Sequence, residues 1–301
     1  MPITQSFRRW ALSAVVLMSL SVPGLVGQAI HADSVAAAST ASIPSFTPQP
    51  NFTEAGFVLP GSRKLSDARK SIERAAEKGD VAAQVNLAVF YMNGWGTRQN
   101  YAAALYWFQS AAKSGNALAH TNLGILYFNG WGVTRDYDEA ARNFLFAADH
   151  GETGAMINLG YLSDGGLGTT KDQAAAAKWY RQAAKRGDPL GQNNLADLYL
   201  RGEGVEQSDT AAFDWFQKAA TQQQTAAMIK LGFLYMTGRA VQKNPETAYA
   251  WIMVASLAGD HRGDNYISAL QAQLSSEQIS RATQRARDLL VHPVSTVALF
   301  H

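Results

Sequence analysis

Glycine returns at a fixed step of 36 residues. Gly79, Gly115, Gly151, Gly187 and Gly259 stand at that step, and Gln223 fills the one place where the column breaks. Other columns keep the same spacing: Leu87, Leu123, Leu159, Leu195 and Leu231; Gly94, Gly130, Gly166, Gly202 and Gly238; Ala104, Ala140, Ala176, Ala212 and Ala248. No insertion disturbs the register across five units. A segment this short cannot bury both faces of its own helices, so the units must stack and cover one another.

Each unit reads as two helices. Asp80, Asn116, Asp188 and Asp260 follow the inter-unit position, where a side-chain oxygen can cap a helix start, and Pro189 suits a first helical residue. Ala83, Leu87, Phe90 and Tyr91 recur at 3–4 spacing and form an apolar stripe. The Gly94-x-Gly96 pair ends the first helix, because glycine tolerates the left-handed backbone of a helix exit. Asn100, Asp136, Asp172, Ser208 and Asn244 then cap the second helix, which carries the Ala column, Trp107-Phe108 and Ala111-Ala112. The small Ala positions let helices approach closely, and the aromatic pair is expected to fill the gap towards the next unit.

The string Ala119, Asn122, Leu123, Gly124, Tyr127, Gly130, Gly132 resembles the Sel-1-like repeat, a relative of the tetratricopeptide repeat. The resemblance covers roughly residues 66–290. It departs where Ser163 replaces the Tyr, Gln223 the inter-unit Gly and Ala240 the second loop Gly, which leaves the loop geometry there open. The fold expected is all-α: a right-handed αα-solenoid of 36-residue helix-turn-helix repeats with a C-terminal helical cap. The resemblance implies an adaptor, since such proteins scaffold complexes. Exported bacterial members regulate envelope signalling or contact host proteins, and the family shares no general set of catalytic residues.

The expected organisation begins with a signal peptide over 1–29. Arg8 and Arg9 precede an apolar run from Trp10 to Leu20, and Gly27 and Ala29 suit a cleavage site. An Ala/Ser/Thr/Pro-rich disordered tether follows over 30–65. Five repeats occupy 66–250, capping helices 251–290, and a flexible tail 291–301. The cap is read as opening with the second helix of a sixth unit at Trp251-Ile252. This layout predicts a periplasmic protein, or alternatively a secreted one, with no integral membrane segment once the signal is removed.

The chain carries 26 Lys+Arg against 24 Asp+Glu. Two of those arginines lie in residues 1–29, so the remainder is balanced at 24 against 24. With no basic cluster, a nucleic-acid partner is not expected. Hydrophobic residues make up 47% of the chain, too many for a wholly disordered one. There is no Cys, which excludes disulfides, thiolate metal sites and a Cys nucleophile.

The search for chemistry yields little. Ser110 and Lys113 match the Ser-x-x-Lys of penicillin-recognising and cell-wall hydrolases, but the supporting Ser-Asp-Asn and Lys-Thr-Gly motifs are absent. The six His are dispersed without metal-ligand spacing. We therefore expect no catalytic residues, no metal and no cofactor, and a protein or peptide as the ligand of a monomeric scaffold.

Helix phase suggests where that ligand sits. With Leu87 at zero and about 100° per residue, Val85, Val89 and Met92 fall at about 160°, 200° and 140°, on the opposite side of the first helix. In a tetratricopeptide-like stack that side lines the concave surface. The equivalent positions select Val89, Ile125, Phe128, Tyr161, Asp164, Asp197, Phe233 and Met236 as the candidate concave face, with the two Asp favouring a basic side chain. Two readings stand together: an open apolar groove, or a wall closed by tight curvature. The loop residues Trp95 and Trp131 form a second candidate edge, against the alternative that each ring folds over its neighbouring loop. The Asn86, Asn122, Asn158 and Asn194 column, broken by Lys230, is expected to make hydrogen bonds between helices.

Overall fold

The computed structural model describes residues 62–291. The signal-peptide expectation for 1–29, the tether up to residue 61 and the tail from 292 lie outside the described residues.

Within them the chain forms α1 (Ser62–Glu77), α2 (Val81–Asn93), α3 (Tyr101–Lys113), α4 (Ala117–Asn129), α5 (Tyr137–Asp149), α6 (Thr153–Gly165) and α7 (Gln173–Lys185). It continues with α8 (Pro189–Arg201), α9 (Asp209–Thr221), α10 (Thr225–Thr237), α11 (Pro245–Leu257), a 3-10 turn at His261–Gly263, α12 (Asp264–Gln271) and α13 (Ser276–Val291). Consecutive helices pack on one another along the stack, which makes an αα-solenoid with no strand among the described residues.

The local signals act as expected. Asp80 accepts from the Ala83 N–H at 3.0 Å and Asn116 from the Ala119 N–H at 2.9 Å. All five second-helix caps accept from the N–H three residues on. Glu152 and Gln224 make no side-chain cap, but the residue after each, Thr153 or Thr225, donates to Asp188 or Asp260 of the following unit at 2.6 and 2.7 Å.

The three departures from the repeat string leave the loops intact. The Asp172 N–H bonds the Ser163 carbonyl at 2.8 Å, as the Asp136 N–H bonds that of Tyr127 at 3.0 Å, so the turn uses main chain and is indifferent to the missing Tyr. Gln223 and Ala240 adopt φ 65 and φ 63, the left-handed conformation that glycine holds elsewhere. A side chain there is strained. Gln223→Gly should therefore raise stability by about 1 kcal/mol, the relieved strain exceeding the extra entropy glycine gives the unfolded chain. A denaturant midpoint unchanged or lowered by the substitution would show the conformation to be unstrained.

The core follows the columns. Ala104, Ala140, Ala176, Ala212 and Ala248 are fully buried. The aromatic pair divides its work in a way the sequence reading did not anticipate. Phe144 and Tyr180 pack against Gly124 and Gly160 of their own unit's first helix, where a methyl group would overlap the ring. Trp107 packs both on the cluster of Ala76, Ala83 and Leu87 that joins α1 to α2 and on the cluster that includes Leu123 and Leu126 of the next unit. Asn122 is fully buried and donates to the Leu118 carbonyl of its own helix at 2.8 Å, so this member of the column bonds within its helix.

Both ends of the stack are covered. At the N-terminal end α1 takes the place of a preceding second helix, and its Glu73 accepts from the Tyr91 hydroxyl at 3.1 Å. At the other end α12 and α13 lie on α11, which is buried continuously from Thr247 to Ile252. Arg281 and Arg285 both reach Glu246, at 2.9 and 3.5 Å. Asn244, the fifth second-helix cap, opens α11. Trp251-Ile252 belongs to α11, the second helix of the fifth unit, and does not open a sixth. The boundary expected at 250/251 falls inside that helix.

Candidate binding face

The first helices α2, α4, α6, α8 and α10 stand side by side, and the structure shows what becomes of their inner face. Val89 and Ile125 are 2% and 5% exposed. They are corrected from partner contacts to core: each first helix has a neighbour on both sides, so the face turned away from the preceding unit meets the following one. Val85, Val89 and Met92 join the cluster that includes Leu123 and Leu126 of the next unit.

The remaining candidates are half-buried: Phe128, Tyr161, Asp164, Asp197, Phe233 and Met236. Adjacent first helices touch through them. The rings of Phe128 and Tyr161 meet edge to face with centroids 6.0 Å apart, and Phe128 also meets Tyr137 at 5.2 Å. Asp197 pairs with Lys230 of α10 at 3.0 Å. Lys171 approaches Asp164 at 3.8 Å, and Arg201 pairs with Glu203 at 2.9 Å. The wall is thus closed at its N-terminal end and keeps partly accessible rings and charges from Phe128 onwards.

Beneath the middle of this wall lies Tyr180, which the sequence reading did not select. Burial pushes its hydroxyl above the ordinary tyrosine range, and the nearby carboxylates of Asp164 and Asp197 push the same way against Arg201. Lys230 was also missed as a partner of Asp197. The one signal for it is that it breaks the Asn column.

The loop edge is used for packing, by Trp131 between units and by Trp95 within its own. Trp131 stacks on Tyr101 with centroids 5.1 Å apart and planes at 16°, and Trp95 stands edge-on to Phe90 at 5.7 Å. Both indoles are half-buried. In the fifth unit Arg239 takes the equivalent place and donates to Asp209 at 2.9 Å, a bond that holds the Asp209 carboxyl below its usual range. Ser110 is half-buried and Lys113 exposed near the end of α3. His120 is held by the Asn143 side chain at 2.9 Å and lies against the Phe146 ring. No group of three or more His, Asp or Glu among the described residues could hold a metal. Among them, no helix is long and apolar enough to cross a membrane.

The Sel1 repeat pattern matches residues 81–116, 117–152, 153–188, 189–223 and 225–260, which is more than half of the chain. The chain belongs to the Sel1 repeat family. These five matches coincide with the helix pairs that run from α2 to α11. A Sel1 repeat protein from Oxalobacter formigenes is similar in structure, with a TM-score of 0.63 and 25% identity over 76% of this chain and 94% of that one. A Sel1 repeat protein from Klebsiella pneumoniae gives a TM-score of 0.46 at 24% identity, over 67% and 99% of the two chains. The protective antigen c5321 of uropathogenic Escherichia coli gives 0.42 at 24%, over 79% and 70%. No match is found among curated proteins. Sel1 repeat solenoids are commonly protein-interaction scaffolds.

Proposed function

We propose that this Sel1 repeat chain is an exported, non-enzymatic scaffold of the bacterial cell envelope, periplasmic in location. It holds another protein on its first-helix face and so assembles or regulates a signalling or export complex. The observation that carries this reading is the Phe128–Tyr161 pair. Two large rings stand half-buried on a solenoid wall whose preceding positions, Val89 and Ile125, are sealed. Partly accessible aromatic side chains on a rigid wall are favoured anchors for a protein or peptide. The Arg8-Arg9 and apolar run of the N-terminal segment supports export, and the charge balance of the rest favours a protein ligand over nucleic acid.

The test is capture from the native envelope by the chain beginning at residue 30, beside a Phe128→Ala/Tyr161→Ala variant. Losing the ring contact and the half-buried area of both rings should cost about 2–4 kcal/mol of stability, so thermal melts of both proteins are recorded and capture is compared below the variant's Tm. A protein held by the wild type and released by the variant is the expected result. Equal retention by both would remove the first-helix face as the binding surface. Binding to host surface proteins, with none to the envelope, would replace the envelope reading by that of a secreted factor.

A further inference from the structure

Helix α1 is a second helix without a first. Its loop contact fixes its register: Gly96 lies against the Leu65 main chain as Gly132, 36 residues on, lies against that of Tyr101. Ala68, Ile72 and Ala75 therefore head the three columns that continue at Ala104, Phe108 and Ala111. In the five complete units every member of these columns is 5% exposed or less, because the unit's own first helix lies on them. In α1 the three residues are only half-buried. Ile72 and Ala75 touch the cluster of Ala76, Ala83 and Leu87 on the side of α2, but no first helix precedes α1 among the described residues.

The spacing of Ala68, Ile72 and Ala75 makes one apolar flank. The helix that ends a solenoid ordinarily turns a polar face outward, and α1 does so only on its other side, at Asp67, Lys70, Ser71 and Arg74. The chain just before α1 carries the side chains that would cover the flank. Phe52, Phe57, Val58 and Leu59 fall within eight residues, whereas the preceding residues 30–51 hold only Ile30, Val35, Ile43 and Phe46. A segment serving as a solvated tether has little use for such a concentration. Nor can it repeat the usual first helix. Residues 45–57, which stand 36 before α2, include Pro48 and Pro50, and Phe52 takes the column place of Gly124 and Gly160, where packed helices leave room only for a small residue.

We propose that residues 52–59 fold back along α1 and seal the Ala68–Ile72–Ala75 flank, with Phe52 and Phe57 as anchors. The reach is sufficient. Ile72 lies about 15 Å along α1 from Ser62, a distance that an extended chain covers in about five residues and a helical one in about ten. Pro60-Gly61 supplies turn chemistry between the two arms. A second copy or another protein would have to displace a segment joined directly to the helix, at an effective concentration of about millimolar. The N-terminal end of the stack is thus closed by the chain's own irregular segment, and the first-helix face is left for the partner.

The test uses the chain beginning at residue 30, with labelled Ala and Ile methyl groups, followed by NMR. The expected result is a nuclear Overhauser contact from the Phe52 or Phe57 ring to the methyl groups of Ala68, Ile72 or Ala75. Phe52→Ser/Phe57→Ser should shift those three methyl signals, leave those of Ala282 and Ala286 at the other end unmoved, and speed amide exchange in α1 about tenfold. If the double variant does not fold, Phe57→Ser alone is compared in the same way. Absence of the contact, with unchanged α1 exchange in the variant, would overturn the proposal. Flank signals that move with the concentration of the wild-type chain and ignore the substitutions would assign the flank to a second copy and overturn it as well.

Discussion

Gly132→Ala should destabilise the solenoid by about 2–5 kcal/mol, whereas Gly115→Ala, one loop earlier, should cost about 1–2 kcal/mol. Both glycines hold a left-handed backbone, φ 70 and φ 75, so both substitutions pay the conformational strain of a side chain there. They differ in what the new methyl meets. At Gly115 nothing lies within 4 Å. At Gly132 a Cβ would stand 2.6 Å from the Tyr101 carbonyl carbon and 2.8 Å from the Ala102 nitrogen, main-chain atoms at the start of α3. Those atoms cannot turn aside as a side-chain end can, so the contact between units must open. Equilibrium unfolding in denaturant gives both values. Equal losses would show that the loop of one unit does not bear on the second helix of the unit before it.

Phe144→Ala should cost about 3–5 kcal/mol, the range for removing a fully buried aromatic ring whose surroundings cannot collapse. The ring is 0% exposed and packs against Gly124, which has no side chain to move into the space. Its cluster reaches from Ile125 to Leu198 and so runs through several units. Neighbouring repeats hold one another through such interfaces, so the loss should appear in the unfolding of the whole stack. A drop below about 1 kcal/mol, or a separate early transition confined to one unit, would show that the cavity is absorbed locally.

The helix boundaries could be read from residues because their causes are local. A cap needs an oxygen such as that of Asp136 within reach of a main-chain N–H three residues on, and a helix exit needs a residue such as Gly130 that tolerates positive φ. Stacking was legible because columns of Ala and Leu at one step leave each unit unable to bury itself. The half-unit supplied by α1 was not legible, since a single helix of mixed sequence carries no repeat to align. The misreading of Trp251-Ile252 as opening a sixth unit has another source, since Asn244 and Ala248, the fifth members of the second-helix columns, already assign that helix to the fifth unit.

The face was legible in its membership and not in its exposure. Phase placed Val89, Ile125, Phe128, Tyr161, Asp164 and Asp197 on one side of the first helices; Val89 and Ile125 are buried and the others half-buried. Whether a side chain there meets solvent or a neighbour depends on the angle between successive units, which sums small differences over the whole stack. Val89 and Ile125 lost their exposure to that angle, and Trp131 lost part of its exposure to Tyr101 in the preceding unit. Local chemistry in the chain thus set where helices begin, where they end and which residues share a stripe. Only the packed structure decided which part of the stripe is sealed, because curvature and contact arise between units and are written in no single one of them.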